Sequence, residues 1–89
     1  MDKMYNVTYT RKSLKFLEKL SKTDKNLSNK VIDAIEYISK DPSNFKKLRG
    51  RFKGLNRIQI GKIRVVFKIY KKELIILVVD IGKRNKIYR

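Results

Sequence analysis

The chain of 89 residues contains no cysteine, no histidine and no tryptophan. Without cysteine there is no disulfide framework and no thiolate to hold a metal. Without histidine as well, a zinc site is not expected, and neither is any other metal or cofactor. The same absence removes the side chain that most often moves protons near neutral pH. One proline and four glycines are too few for a linker-rich chain, and there is no repeat or low-complexity tract. No apolar run approaches the roughly 20 residues of a membrane span. The opening Met-Asp-Lys-Met-Tyr lacks the apolar stretch of a signal peptide. The expectation is an intracellular, cytoplasmic protein without a metal.

Acidic residues are also scarce: eight, against 24 lysines and arginines, for a net charge of +16. Residues 1–45 carry nine basic and six acidic side chains, whereas residues 46–89 carry fifteen and two. Solvated helix faces account for the first half. The second half repels itself on folding unless a polyanion answers it, which points to nucleic acid, an acidic protein partner, or both in turn. Hydrophobic residues make up 42% of the chain, enough for one packed domain over residues 1–89 and too many for a disordered basic tail.

Met4 to Thr10 is rich in β-branched and aromatic residues and reads as a strand. Thr10 is placed to cap a helix whose apolar residues Leu14, Leu17 and Leu20, with Phe16 beside them, run to about Lys22. Thr23 and Asp24 offer a second cap. Leu27, Val31, Ala34, Ile35 and Ile38 then mark another amphipathic helix, ended near Lys40 by Pro42. Ser43 to Gly54 reads as a basic connector with a short extended piece around Phe45 to Leu48. Three strands follow: Leu55–Ile60, Ile63–Tyr70 and Leu74–Ile81, separated by Gly61-Lys62 and Lys71-Lys72-Glu73. Ile58 and Ile60 fall on one face and Arg57 and Gln59 on the other. Likewise Ile63, Val65, Phe67 and Ile69 oppose Arg64, Val66, Lys68 and Tyr70. Leu74–Ile81 is apolar on both faces and belongs in the middle of the sheet. The fold class is therefore α+β: a small β-α-α-β-β-β domain, its helical hairpin packed on one face of a mainly antiparallel twisted sheet. The other face is expected to be open and cationic.

On that sheet Arg57, Arg64, Lys83, Arg84 and Tyr88 are expected within reach of one another. Fixed cations beside one phenol suit holding and attacking a phosphodiester. A lone arginine on a strand is usually solvated or salt-bridged, but only Glu73 and Asp80 lie near these strands to pair with so many cations. Tyr88 has the rival reading of an aromatic folded onto the sheet. Lys46, Lys47, Arg49, Arg51 and Lys53 suit contacts to phosphate or to an acidic partner, and Gln59, Lys62, Lys83 and Lys86 join them as expected RNA contacts. The four glycines are most simply turn residues and form no phosphate-cradling motif.

The ordered set Arg-Ile-Gln-Ile-Gly-Lys-Ile-Arg-Val-Val-Phe-Lys-Ile, Val-Val-Asp-Ile-Gly-Lys-Arg and Ile-Tyr resembles the RelE/ParE toxin superfamily. The upstream Leu-Lys-Phe-Leu-Glu-Lys-Leu helix and the Leu-Arg-Gly approach to the strands fit it too, so the resemblance covers essentially the whole chain. Within the superfamily the chain is similar to RelE-type mRNA interferases. That likeness implies cleavage of messenger RNA in the ribosomal A site and inhibition by an acidic RelB-like antitoxin. It also implies catalytic positions at Arg57, Arg64, Arg84 and Tyr88. Gln59 departs from the pattern, standing where a basic residue is usual and removing a titratable group from the expected site.

Metal-free RNA cleavage requires in-line attack of a 2′-OH on its own phosphate, giving a 2′,3′-cyclic phosphate and a 5′-OH. Arg64 and Arg84 suit stabilisation of the extra phosphorane charge, and Arg57 a further contact. Arg64 and Arg84 are expected on the open face, where substitution costs little stability. Tyr88, Lys83 and Lys86 are the candidates for proton transfer. Two other functions share this composition: a ParE-like poison of DNA gyrase, and a non-catalytic basic nucleic-acid-binding domain.

Overall fold

The computed structural model describes residues 4–40 and 54–83. Asn6–Tyr9 forms β1, and the chain turns at Thr10 into α1 (Arg11–Thr23). Thr10 stays extended, with φ −68° and ψ 158°, so its hydroxyl can accept from the Ser13 amide and satisfy a free N–H of the first turn. Asp24 alone separates α1 from α2 (Lys25–Lys40). Its N–H donates to the Leu20 carbonyl at 2.7 Å, and its carboxylate accepts from the Leu27 amide at 3.1 Å. One residue thus ends one helix and starts the next, which makes the hairpin abrupt. Thr23, a second cap candidate, lies inside α1.

β2 (Asn56–Ile60), β3 (Ile63–Tyr70) and β4 (Ile75–Lys83) complete a sheet of order β1-β4-β3-β2. β2–β3 and β3–β4 are antiparallel, and β1 lies parallel to β4. The doubly apolar β4 is an inner strand, as its sequence implies. Both helices pack on one face of the sheet. Leu17 and Leu20 of α1 and Val31, Ile35 and Ile38 of α2 meet Ile63, Val65, Phe67, Ile76, Val78 and Ile81 in one buried cluster.

Gly61 has φ 58° while Lys62 keeps a negative φ, so the β2–β3 connection has the form of a type II′ turn. The turn holds Ile60 opposite Ile63 and fixes the register of everything between Asn56 and Phe67. A second irregularity lies in β4. Val66 pairs with Asp80 and Phe67 with Val78, leaving Val79 as the extra residue of a bulge. The Thr10 hydroxyl donates to the Val79 carbonyl at 2.9 Å, and the Ser13 hydroxyl to the Val78 carbonyl at 3.0 Å. The helix cap therefore doubles as the lock on the bulge.

Several boundaries differ from the sequence expectation. Leu14 is 45% exposed and Ser13 is fully buried, because Ser13 points at the Val78 carbonyl and the buried stripe runs Ser13, Leu17, Leu20. Leu74 is excluded from β4 because its φ of 57° ends the turn, while β4 continues past Ile81 to Lys83. The basic connector, including its suggested extended piece at 45–48, lies outside the described residues up to residue 53.

Candidate nucleic-acid interface

The strand registers define the helix-free face row by row. Nearest the Gly61-Lys62 turn, Gln59 stands opposite Arg64, and Arg64 opposite Gly82. The next row is Arg57, Val66 and Asp80. Beyond the bulge come Lys68, Leu77 and Thr8, then Tyr70, Ile75 and Asn6. Directly opposed residues of an antiparallel pair sit within about 4.5–5.5 Å at Cβ, and diagonal ones within about 7–8 Å. Arg57, Gln59 and Arg64 therefore form one polar corner at the β2 edge, with Lys62 on the adjoining turn.

Exposure divides this corner. Arg57 and Gln59 are exposed, but Arg64 is only 1% exposed and its neighbour Val66 is 7% exposed. The expectation that Arg64 stands on an open face is incorrect. Its strand is an inner one, with β2 on one side and β4 on the other. Gly82 opposite it has no side chain, which leaves room beside the arginine on that flank. A clue to this lay in the sequence: a strand apolar on both faces, as β4 is, implies that neither face is fully wet. Burial changes the electrostatics as well. A guanidinium taken out of water keeps its charge and acts through a lower effective dielectric, so its field on a nearby anion is stronger than that of a surface arginine.

Lys83 pairs with Ile63, so alternation puts it on the helix side of the sheet, away from Arg64, where it is exposed at the strand end. Arg84, Lys86 and Tyr88, together with Lys46, Lys47, Arg49, Arg51 and Lys53, lie outside the described residues. Asp80 belongs by register to the row of Arg57 and sits 3.6 Å from the ammonium of the exposed Lys12 on α1. Among the described residues no group of three or more acidic side chains is arranged to hold a metal ion, and no helix is long and apolar enough to cross a membrane. On the helix side, the half-buried Tyr9 phenol titrates above its ordinary value, first because it is desolvated and second because Glu36 is near. Sequence reasoning passed over one feature of the helix-free face. The ammonium of Lys68 lies over the ring of Tyr70, 5.3 Å from its centroid.

A helical hairpin on one side of a four-stranded mixed sheet, with a basic corner on the other, defines a small toxin fold of the RelE/ParE superfamily. Residues 7–88 match the model of the ParE toxin of type II toxin–antitoxin systems (parDE), and the chain belongs to that family. A relative from Methanocaldococcus jannaschii, named as toxin RelE4, is 30% identical over 87 residues, covering 97% of this chain and 93% of that protein. The toxin–antitoxin complex RelBE2 of Mycobacterium tuberculosis superposes with a TM-score of 0.78 at 22% identity, over 94% of this chain and 98% of that one. The archaeal RelE–RelB complex of Pyrococcus horikoshii gives 0.74 at 21%, over 93% and 98%. At such identities the superpositions establish the shared fold.

Proposed function

We propose that this toxin is a ribosome-dependent endoribonuclease that cleaves messenger RNA in the A site by 2′-OH attack on the adjacent phosphate. The observation that carries the reading is the pairing of Gln59 with a buried Arg64, with the exposed Arg57 one row along the same face. A desolvated guanidinium suits the stabilisation of charge that develops on phosphorus, because little water screens its field there. Arg57 grips a neighbouring phosphate oxygen. Gln59 cannot accept a proton as a base, but its amide can hold the 2′-OH or a phosphate oxygen in line.

Arg84 supplies a second guanidinium by the family resemblance. Proton transfer falls to Tyr88 or Lys86, since Lys83 belongs to the opposite side of the sheet. So weak an acid–base set fits an enzyme whose substrate is arranged for it by the ribosome. The basic connector residues Lys46 to Lys53 contact RNA or, in the inhibited state, the carboxylates of an acidic RelB-like antitoxin. The latter follows the RelBE2 and RelE–RelB complexes.

The family match favours one second reading, a ParE-like poison of DNA gyrase that cuts no RNA. Primer extension on translating ribosomes, run beside a gyrase supercoiling assay, separates the two. Message cleavage that disappears in Arg57→Ala and Tyr88→Phe, with supercoiling untouched, supports the nuclease. Intact message with arrested supercoiling establishes the gyrase reading in its place.

A further inference from the structure

Lys68 and Tyr70 lie on β3, on the same face as Arg64 but at the far end of the strand from the polar corner. Lys68 stands four residues from Arg64, about 13–14 Å away at roughly 3.4 Å per residue. Lys68 is exposed, Tyr70 is half-buried, and the ammonium rests over the ring. Beside them on β4, the partly buried Leu77 and Ile75 make an apolar floor, rimmed by Thr8 and Asn6 of β1. The exposed Lys71 and Lys72 follow in the turn. A half-buried aromatic ring, an exposed cation and an apolar floor match what a base with its phosphate requires: a π-face to stack on and a charge to pair with.

We propose that Lys68 and Tyr70 form a subsite for single-stranded RNA, binding a nucleotide that flanks the one reacting at Arg57, Gln59 and Arg64. The inference rests on the nucleic-acid reading of that corner. The RNA runs along β3 from the corner toward the Lys71-Lys72 turn. A basic half-chain of fifteen cations and two acids supplies the charge complementarity that brings the strand there. On binding, the Lys68 ammonium moves from the ring to a phosphate, and the ring face it uncovers takes a base. Because every base has a π-face, this contact adds affinity and register without demanding a particular sequence.

The test uses the full chain and a 2′-O-methylated single-stranded RNA, which lacks the attacking hydroxyl, with binding followed by fluorescence anisotropy. Tyr70→Phe should bind like the parent, and Tyr70→Ala at least about fivefold more weakly, the lower end for loss of one stacked base. Lys68→Gln should reduce the slope of log affinity against log salt by about 0.7, the contribution of one phosphate contact on a single strand. If circular dichroism finds Tyr70→Ala unfolded, the salt slope of Lys68→Gln decides alone. Unchanged affinity in a folded Tyr70→Ala, or an unchanged slope in Lys68→Gln, overturns the subsite. Cleavage of message by the parent chain alongside such a result leaves the nuclease reading standing. RNA binding that depends on Lys68 and Tyr70 in a chain that cleaves no message leaves the subsite standing and removes the nuclease.

Discussion

Arg57 and Arg64 occupy one face of neighbouring strands, yet one is exposed and the other is buried. Their substitutions should therefore differ in kind. Arg57→Ala should leave the melting curve within about 0.5 kcal/mol of the parent, as for surface changes generally, while lowering message cleavage. Arg64→Ala should lower cleavage by roughly 10²-fold, as for loss of a charge-stabilising donor. It should also cost about 1–3 kcal/mol of stability, because the buried aliphatic stem leaves a gap in the sheet face that outweighs relief of the guanidinium's desolvation. Thermal melts paired with primer extension check both, and a stability-neutral Arg64→Ala would contradict the burial. Tyr9 gives a pH signature. Its phenol is held in the neutral form in the fold, so its contribution is complete below the ordinary value near 10 and is lost as pH rises through the higher folded value. Melts between neutral and strongly alkaline pH should show Tyr9→Phe losing less stability than the parent above that point. Equal losses would mean that Tyr9 is not the group involved.

The elements were legible where periodicity was strong and obscure where one residue served two purposes. Two helices, four strands and the inner place of β4 follow from apolar spacing, and Thr10 reads as a cap from its type alone. Ser13 was not legible as a buried residue. Its burial depends on the β4 bulge, and a bulge offers no periodic trace in a strand as uniformly apolar as Ile75–Val79. Leu74 misled for a related reason, since leucine at φ 57° obeys turn closure rather than preference. At the candidate site, the faces of Arg57, Gln59 and Arg64 followed from alternation. The depth of Arg64 did not, because depth depends on neighbouring strands whose order the sequence does not print. The Gly61 turn holds this arrangement in register. Gly61→Ala should cost about 1–2 kcal/mol from the left-handed φ. The added Cβ would meet Leu27 Cδ1 at an ordinary 3.7 Å, so collision contributes nothing. If denaturant midpoints do not move, the turn is not the constraint described.

For the molecule as a whole, the charge is unevenly placed: a nearly balanced helical half and a strongly basic half that carries three of the four described strands. Affinity for RNA should fall steeply with salt, with naked RNA bound weakly and cut slowly, and association with an acidic antitoxin should slow under the same change. Titrations of RNA and antitoxin across an ionic-strength series measure both. A flat response would show that the basic half does not face either partner.

β4 lies between β1 and β3, although it is the last described element to be synthesised. While residues 4–40 are emerging, β1 has no strand to join, and the β2–β3 hairpin has no partner on its inner side. A sheet of this order closes only when the segment Ile75–Lys83 takes its place in the centre, pairing locally with β3 and non-locally with β1. The β2–β3 hairpin that carries Arg57, Gln59 and Arg64 is therefore left with an open inner edge until Ile75–Lys83 docks between it and β1.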